Sequence, residues 1–377
     1  MAVYQRKKNT WRIEVDVGFD TYGKRKRLIE TLKGSKTEAK AREAEIRSKV
    51  KSGSLLEKNT YSFEEFSNKW LKEHAIPTMG PRTVETYKYY LKNINGQIGF
   101  IKITHLKPLH LIKFYNYLRN LEGKEKLADA TIQKHYSIIN AILNKAVKWK
   151  IIHNNPNLDI DKPKIKKTEA KYYDLDQTRK LINSLELEPP MHKALILLAL
   201  DTGARRGEII ALEWNDIDYN NKSITINKTV QYVAGKGLIE KDPKTNSSYR
   251  KVAITDISIS VLQEWELIQQ ETKKKLKKVW AGSNKVFTTS EGKTTLPETA
   301  SKIFTNILKK HNLPHINFHG LRHTSVSLLI ASGIHSKVIS DRVGHSSIAT
   351  TTNIYSHVFE SVTNEVRSKL NTILENK

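Results

Sequence analysis

The 377-residue chain contains no cysteine. That absence excludes disulfides and thiolate metal sites, and it fits a cytosolic compartment. Long hydrophobic runs are missing too. No stretch approaches the roughly 18 consecutive apolar residues of a membrane span, although an apolar content of 38% is enough to build cores. A soluble chain is expected. The start, MAVYQRKKNTWR, is basic but is not followed by an apolar segment with a cleavage site, so no secretory signal is expected. Acidic residues are the other shortage: 39 Asp and Glu face 64 Lys and Arg, a net charge of +25. Such an excess favours a polyanion partner, with nucleic acid the first candidate because each neutralised phosphate releases counterions. Residues 1–60 hold 16 basic and 8 acidic residues and residues 61–171 hold 20 and 10, so the excess is not confined to one tail. Charge alone does not separate this reading from a lysine-rich surface that only keeps the protein in solution.

The length predicts two or three domains. In TWRIEVDVG, Trp11, Ile13, Val15 and Val17 alternate with charged residues, the period of a half-buried strand. The turn DTYGKRK leads into a second strand, KRKRLIETL, and Ser35 with Glu38 makes a capping-box pattern opening a helix that points Ala39, Ile46 and Val50 inward. A three-stranded sheet with one helix is the simplest assembly. Sheets of this size can enter a DNA groove, and Arg25, Lys26 and Arg27 would suit phosphate contact; an ordinary solvated hairpin is the alternative.

Residues 61–155 read as all-helical. Ser62 and Glu65 form another capping box, and Ile132, Tyr136, Ile139, Leu143 and Ala146 recur three or four apart. Lys134 and Lys145 interleave with aromatics here, a pattern of phosphate contact and stacking, though most of the aromatics are expected in the core. Pro156, Pro163 and a lysine cluster then break the pattern over residues 154–171, which reads as an interdomain linker. Fully extended it would span about 60 Å, enough for two domains to clamp opposite faces of a duplex. Beyond it, Asp174 and Gln177 cap a helix. A nearly uninterrupted apolar helix, a glycine break and an amphipathic helix follow, then strand-like SITINKTVQYV and YRKVAITD, then helices. The fold class is α+β and multidomain: a small sheet with a helix, an all-α domain, and a mainly helical domain with a small antiparallel sheet. The boundaries are 1–58, 59–156, a linker at 157–171, and 172–377.

Residues 318–333, FHGLRHTSVSLLIASG, place two histidines and an arginine within five positions at the head of a helix. His319 and His323, four apart, could share a face and hold a metal, but no glutamate stands where an HExxH site needs its base and no acidic cluster completes a shell. His319 and Arg322 also share a face; one suits proton transfer, the other grips phosphate as a planar fork. By itself the window also fits a helix in which Arg322 is a cap and His319 a satisfied histidine. Upstream, TGARRGE places Arg205 after a glycine break, where it could simply pair with Glu208. Downstream, DRVGHSSIATTTNIYSHV places His345 and Tyr355 ten apart.

The series TGARRGE, PKTNSS, HGLRH, VGH and NIYSH, in this order and at these intervals, resembles the tyrosine recombinases, and the layout is similar to integrases of temperate phages and integrative conjugative elements. The resemblance covers the chain: an arm-type DNA-binding domain, a helical core-binding domain and a catalytic domain. Residue by residue it implies catalytic arginines at Arg205 and Arg322, a hairpin lysine at Lys244, histidines at His319 and His345, and the nucleophile at Tyr355. Gly320 departs from the pattern, since many relatives carry an acidic residue there.

The chemistry agrees with those positions. Charge developing on the non-bridging phosphate oxygens is neutralised by two arginine forks and a histidine donor. A tyrosine of pKa near 10 needs help losing its proton, and His319 is the candidate acceptor. Lys244 is the candidate acid for the leaving 5′ oxygen. Attack leaves a 3′-phosphotyrosine that keeps the bond energy, so the resemblance implies neither ATP, metal nor other cofactor. It further implies double-stranded attachment sites, a bacterial host cytoplasm with no membrane partner, and a ring of four protomers. An excision factor and a DNA-bending host protein belong to the same expectation. Val358, Val362, Val366, Leu370 and Leu374 form a stripe that packs either at home or on a neighbouring protomer. Three rivals stay open: a type IB topoisomerase, which relaxes but does not exchange strands; a non-catalytic regulator using the helix-turn-helix look of residues 334–355; and a metallonuclease around His319 and His323, sensitive to chelators.

Overall fold

The computed structural model describes residues 2–19, 24–51, 61–120, 127–165, 171–242, 249–345, 347 and 352. Its contacts divide the chain into two units, residues 1–166 and 167–377. The first begins with the antiparallel strands β1 (Ala2–Lys7), β2 (Thr10–Phe19) and β3 (Arg25–Lys33), paired in the order β1-β2-β3. Helix α1 (Lys36–Lys51) covers one face. The alternation in β2 is the cause: Ile13 and Val15 point to that face and are buried with Ala39 and Ile46, while Leu28 and Leu32 close the sides. The capping box forms as expected, with the Glu38 amide donating to Ser35 Oγ (3.2 Å) and the Ser35 amide to Glu38 Oε2 (2.7 Å).

The same unit contains a separate helical core. Helix α2 (Phe63–Trp70) runs through one π turn (Leu71–Ala75) into α3 (Ile76–Thr78), followed by α4 (Pro81–Ile98), α5 (Pro108–Arg119) and α6 (Asp129–Lys148). Phe63, Phe66, Trp70, Leu111, Ile139 and Leu143 fill its centre. Residues 155–160, read from sequence as linker, are built into this bundle. Asn155 and Asn157 are buried. Asn155 Nδ2 donates to Asn140 and Asn144 (2.7 Å each), Tyr115 Oη donates to Asn157 Oδ1 (2.6 Å), and Tyr136 Oη to the Asn157 carbonyl (3.1 Å). Asparagines read as loop residues because they favour turns; here their amides bond side chains of α5 and α6, a long-range role that local pattern does not carry.

The second unit contains α7 (Leu175–Leu185), α8 (Pro190–Thr202), α9 (Arg206–Ala211), β4 (Ile217–Asp218), β5 (Ser223–Ile226), β6 (Thr229–Val233), β7 (Gly237–Lys241), β8 (Arg250–Ala253), α10 (Asp256–Leu276), α11 (Pro297–Lys310), α12 (Phe318–Ala331) and α13 (Ser336–Val343). Helix α8 is apolar nearly all round because Ala194 through Leu200 are all buried. Strands β4-β5-β8 form one antiparallel sheet and β6-β7 a separate hairpin. The run SITINKTVQYV therefore splits between two sheets. Asn227 Nδ2 donates to Asp216 (2.7 Å) and Lys228 Nζ to Glu213 (3.1 Å), so the polar pair at its centre leaves the ladder. The mainly helical α+β arrangement matches the expectation. Among the described residues, no helix is long and apolar enough to cross a membrane.

Candidate active site

Helix α8 ends at Gly203, which adopts the left-handed conformation (φ 60°). A Cβ there would lie 2.8 Å from Val343 Cγ1. Glycine is required on both counts, for the turn and for the close approach of α13. Two residues later Arg205 is the N-cap of α9, its amide held by Glu208 Oε2 (2.9 Å) and its Nη1 by Glu208 Oε1 (2.8 Å).

Helix α13 also ends on a left-handed glycine, Gly344 (φ 72°). The last carbonyls of a helix have no partners within it and carry the negative end of its dipole. Three successive carbonyls of this terminus each receive a guanidinium. Arg250 Nε donates to Arg342 O (2.7 Å), Arg322 Nη1 to Val343 O (2.6 Å), and Arg205 Nη2 to Gly344 O (3.1 Å). Arg322 Nη1 also donates to Gly203 O (2.8 Å), so one arginine ties both glycine-ended helices together. Arg322 is 3% exposed, whereas the Arg205 side chain is 44% exposed. One fork is a fixed wall and the other is open to a ligand.

The histidines gather around these forks. His319 and His323 stack edge to face on α12, ring centroids 4.9 Å apart, and His345 follows Gly344 directly with its amide on Ser340 O (3.0 Å). His319 remains exposed to solvent. Loss of water around part of its ring, with the charges of Arg322 and Arg205, holds its imidazole below the ordinary value. Burial, then the same two arginines and the neighbouring imidazoles, pulls His345 down to about 4. Burial, His319 and Arg322 do the same to His323. All three rings are neutral at pH 7. A neutral imidazole accepts a proton, which suits a base, and its N–H still donates a hydrogen bond to an anion. The assembly is an anion pocket with a proton acceptor at its edge. Among the described residues, no group of three or more His, Cys, Asp and Glu side chains is placed to hold a metal ion.

The model of the phage integrase family matches residues 171–361, and that of the phage integrase N-terminal SAM-like domain matches residues 62–119. The chain belongs to the phage integrase family. It is 30% identical over 371 residues to the tyrosine recombinase XerC-like protein of Caldanaerobacter subterraneus subsp. tengcongensis, with 93% of each chain covered. It shares its fold with the integrase of transposon Tn1549, solved with a circular intermediate DNA (TM-score 0.69, 19% identity, 82% of this chain and 99% of that one). The lambda integrase tetramer on a Holliday junction is a further match (TM-score 0.55, 17% identity, 92% and 95% covered). This member of the phage integrase family is a site-specific tyrosine recombinase.

Of the residues singled out in the sequence of the recombinase, Arg205, His319, Arg322 and His345 come together. Lys244 and Tyr355 lie outside the described residues. Glu208 is more than a surface partner of Arg205: it is 5% exposed and also binds Arg250 Nη2 (2.8 Å). Arg250 went unread, although it carried a signal. In strand β8 it falls in phase with the inward Val252, and a charge on the buried phase of a strand demands a partner. His323 was weighed only as a metal ligand. Gly320 has a packing reason for its small size, since a Cβ there would lie 3.0 Å from both Lys171 O and Ile316 Cβ. In the first unit, Arg25 pairs with Asp16 (2.9 Å) and Arg27 reaches Glu14 (3.8 Å), with Lys26 in the same strand. Lys134 is exposed on α6, and Lys145 Nζ lies 5.6 Å from the Trp149 ring centroid.

Proposed function

We propose that the recombinase cleaves and rejoins double-stranded attachment-site DNA, with Tyr355 as nucleophile and the pocket of Arg205, Arg322, His319 and His345 as the seat of the scissile phosphate. The convergence of two guanidiniums and neutral imidazoles at the ends of α8 and α13 carries this reading. Arg322 and Arg205 neutralise the non-bridging oxygens, and His345 adds a donor. His319, neutral in a cationic setting, takes the tyrosine proton. Lys244, between β7 and β8, protonates the departing 5′ oxygen. The 3′-phosphotyrosine conserves the bond for attack by a 5′ hydroxyl of another strand.

Residues 1–58 serve as the arm-type DNA-binding domain, with Arg25, Lys26 and Arg27 on phosphates. Residues 59–160 grip the core site with Lys134 and Lys145, the rest of the expected linker, residues 161–171, joins the two units, and residues 172–377 catalyse. Four protomers assemble on two duplexes in the bacterial cytoplasm, with an excision factor and a DNA-bending host protein setting direction. An apolar groove of about 610 Å³, lined in part by Leu175, Ile182, Leu197 and Leu328, receives the Val358 to Leu374 stripe of a neighbouring copy.

The test is a nicked suicide duplex bearing the attachment site, incubated in EDTA with wild type and Tyr355→Phe. A covalent protein-DNA band in wild type that vanishes in the variant is expected. Tight binding without an adduct in wild type would overturn the reading in favour of a non-catalytic regulator.

A further inference from the structure

We infer that Arg250 is a positioning residue of this active site: it sets Arg205 and the carbonyl ridge of α13 for the phosphate without touching the phosphate itself. The inference rests on the pocket proposed above and adds to it a third guanidinium.

Arg250 is 8% exposed, so its head group is turned inward. It opens β8, immediately after the segment that carries Lys244. From there its two ends reach two other elements. Nη2 donates to Glu208 Oε2 (2.8 Å), the carboxylate whose other oxygen holds Arg205 Nη1 (2.8 Å). Nε donates to Arg342 O (2.7 Å), the carbonyl just ahead of the two that hold Arg322 and Arg205. The planar fork therefore fixes the separation between α9, which presents Arg205, and the end of α13, which presents His345. Lysine has one point charge and cannot bridge both partners in that geometry.

Charge matters as much as reach. Glu208 faces Arg205 from its own helix and Arg250 from the strand. Helix α11, packed on the same helix, directs Glu298 and Ser301 at Arg206 rather than at Glu208. With both guanidiniums present, burial of the Glu208 carboxyl is outweighed and its affinity for protons falls below the ordinary range. Without Arg250, a buried carboxylate would keep Arg205 as its one cation partner among the described residues. It would either draw Arg205 away from the substrate or take up a proton as the pH falls. Both outcomes weaken the grip on phosphate, and the second does so more strongly as the pH falls.

The experiment compares wild type, Arg250→Gln and Arg250→Lys in single-turnover cleavage of the suicide duplex across pH, with duplex affinity and thermal unfolding measured in parallel. For Arg250→Gln, cleavage slowed on the order of 100-fold is expected, with duplex affinity within about threefold of wild type and the acid limb of the rate profile moved to higher pH. For Arg250→Lys, which keeps the charge but not the bridge, cleavage slows on the order of 10-fold and the acid limb stays in place. Should the glutamine variant fail to fold, the lysine variant decides: a wild-type rate overturns the inference. A glutamine variant that folds and cleaves at the wild-type rate, or slows with an unmoved acid limb, also overturns it. Absence of any adduct in wild type condemns the proposed function instead, so the two failures are separable.

Discussion

His135 and His345 are both withdrawn from water and both resist protonation, yet they sit in opposite settings. His135, in the helical bundle, is 1% exposed and stands edge-on to Tyr90 and Phe114, at 4.7 and 5.8 Å between centroids. Its Nδ1 bonds the Thr131 carbonyl (2.9 Å), and its Nε2 has no hydrogen-bond partner among the described residues. Burial lowers its proton affinity, against the opposing pull of that carbonyl. His345 is only partly buried, and after burial the chief causes are the guanidiniums of Arg322 and Arg205. The first ring is packed as an aromatic spacer. The second is held neutral by the very charges that would bind an anion. A shifted histidine thus marks function when cations cause part of the shift and an open face remains.

Substitutions can break that contrast or sharpen it. The largest effect falls on the shared cause: Arg322→Ala should lower single-turnover cleavage by about 10³-fold, because it removes a fork and leaves two carbonyls unpaired. Next, His345→Leu should slow cleavage by about 10²-fold while leaving thermal stability at pH 7 near wild type, a split seen by running both assays on one preparation. Gly203→Ala acts through geometry. Its left-handed φ and the 2.8 Å approach to Val343 should cost about 1–3 kcal/mol in denaturant unfolding. Smaller still is the response to pH. In the folded chain His323 and His345 titrate near 4, against 6.5 for an ordinary histidine. On acidification from 6.5 towards 4 the unfolded chain therefore gains protons that the folded one refuses, and stability is lost over that window. Melting temperature should fall between pH 7 and pH 5, and His345→Leu should flatten the dependence. At the far end, His135→Leu should leave cleavage within twofold and unfolding free energy within about 1 kcal/mol, since it removes an unpaired nitrogen and keeps an apolar spacer. A large loss of cleavage there would refute the distinction.

Local periodicity made much of the fold legible. Ile13 and Val15, the Ser62, Glu65 and Asp174, Gln177 boxes, and the Ile132 to Ala146 stripe all lie where pattern puts them, because each depends on residues within one turn or one strand. Site motifs were legible for a different reason: Arg205, His319, Arg322 and His345 are irreplaceable chemical types at recognisable intervals. What escaped depends on partners far along the chain. Asn155 and Asn157 look like loop residues until Asn140, Asn144 and Tyr115 are brought to them. Arg250 shows only its place on the buried phase of β8 until Glu208 and the Arg342 carbonyl, its partners, reach it from 42 and 92 positions away. The split of residues 223–233 between two sheets likewise turns on Asp216 and Glu213 outside the run.

The arginines of the pocket are already occupied by main-chain oxygen. A lone orthophosphate can meet the exposed side of Arg205, but to reach the buried Arg322 it must exchange places with those oxygens using nothing but its own few contacts. A duplex arrives anchored along its whole length, so the same exchange is driven by contacts made elsewhere. The pocket thereby favours a phosphate delivered as part of a long, well-held strand over a small free anion.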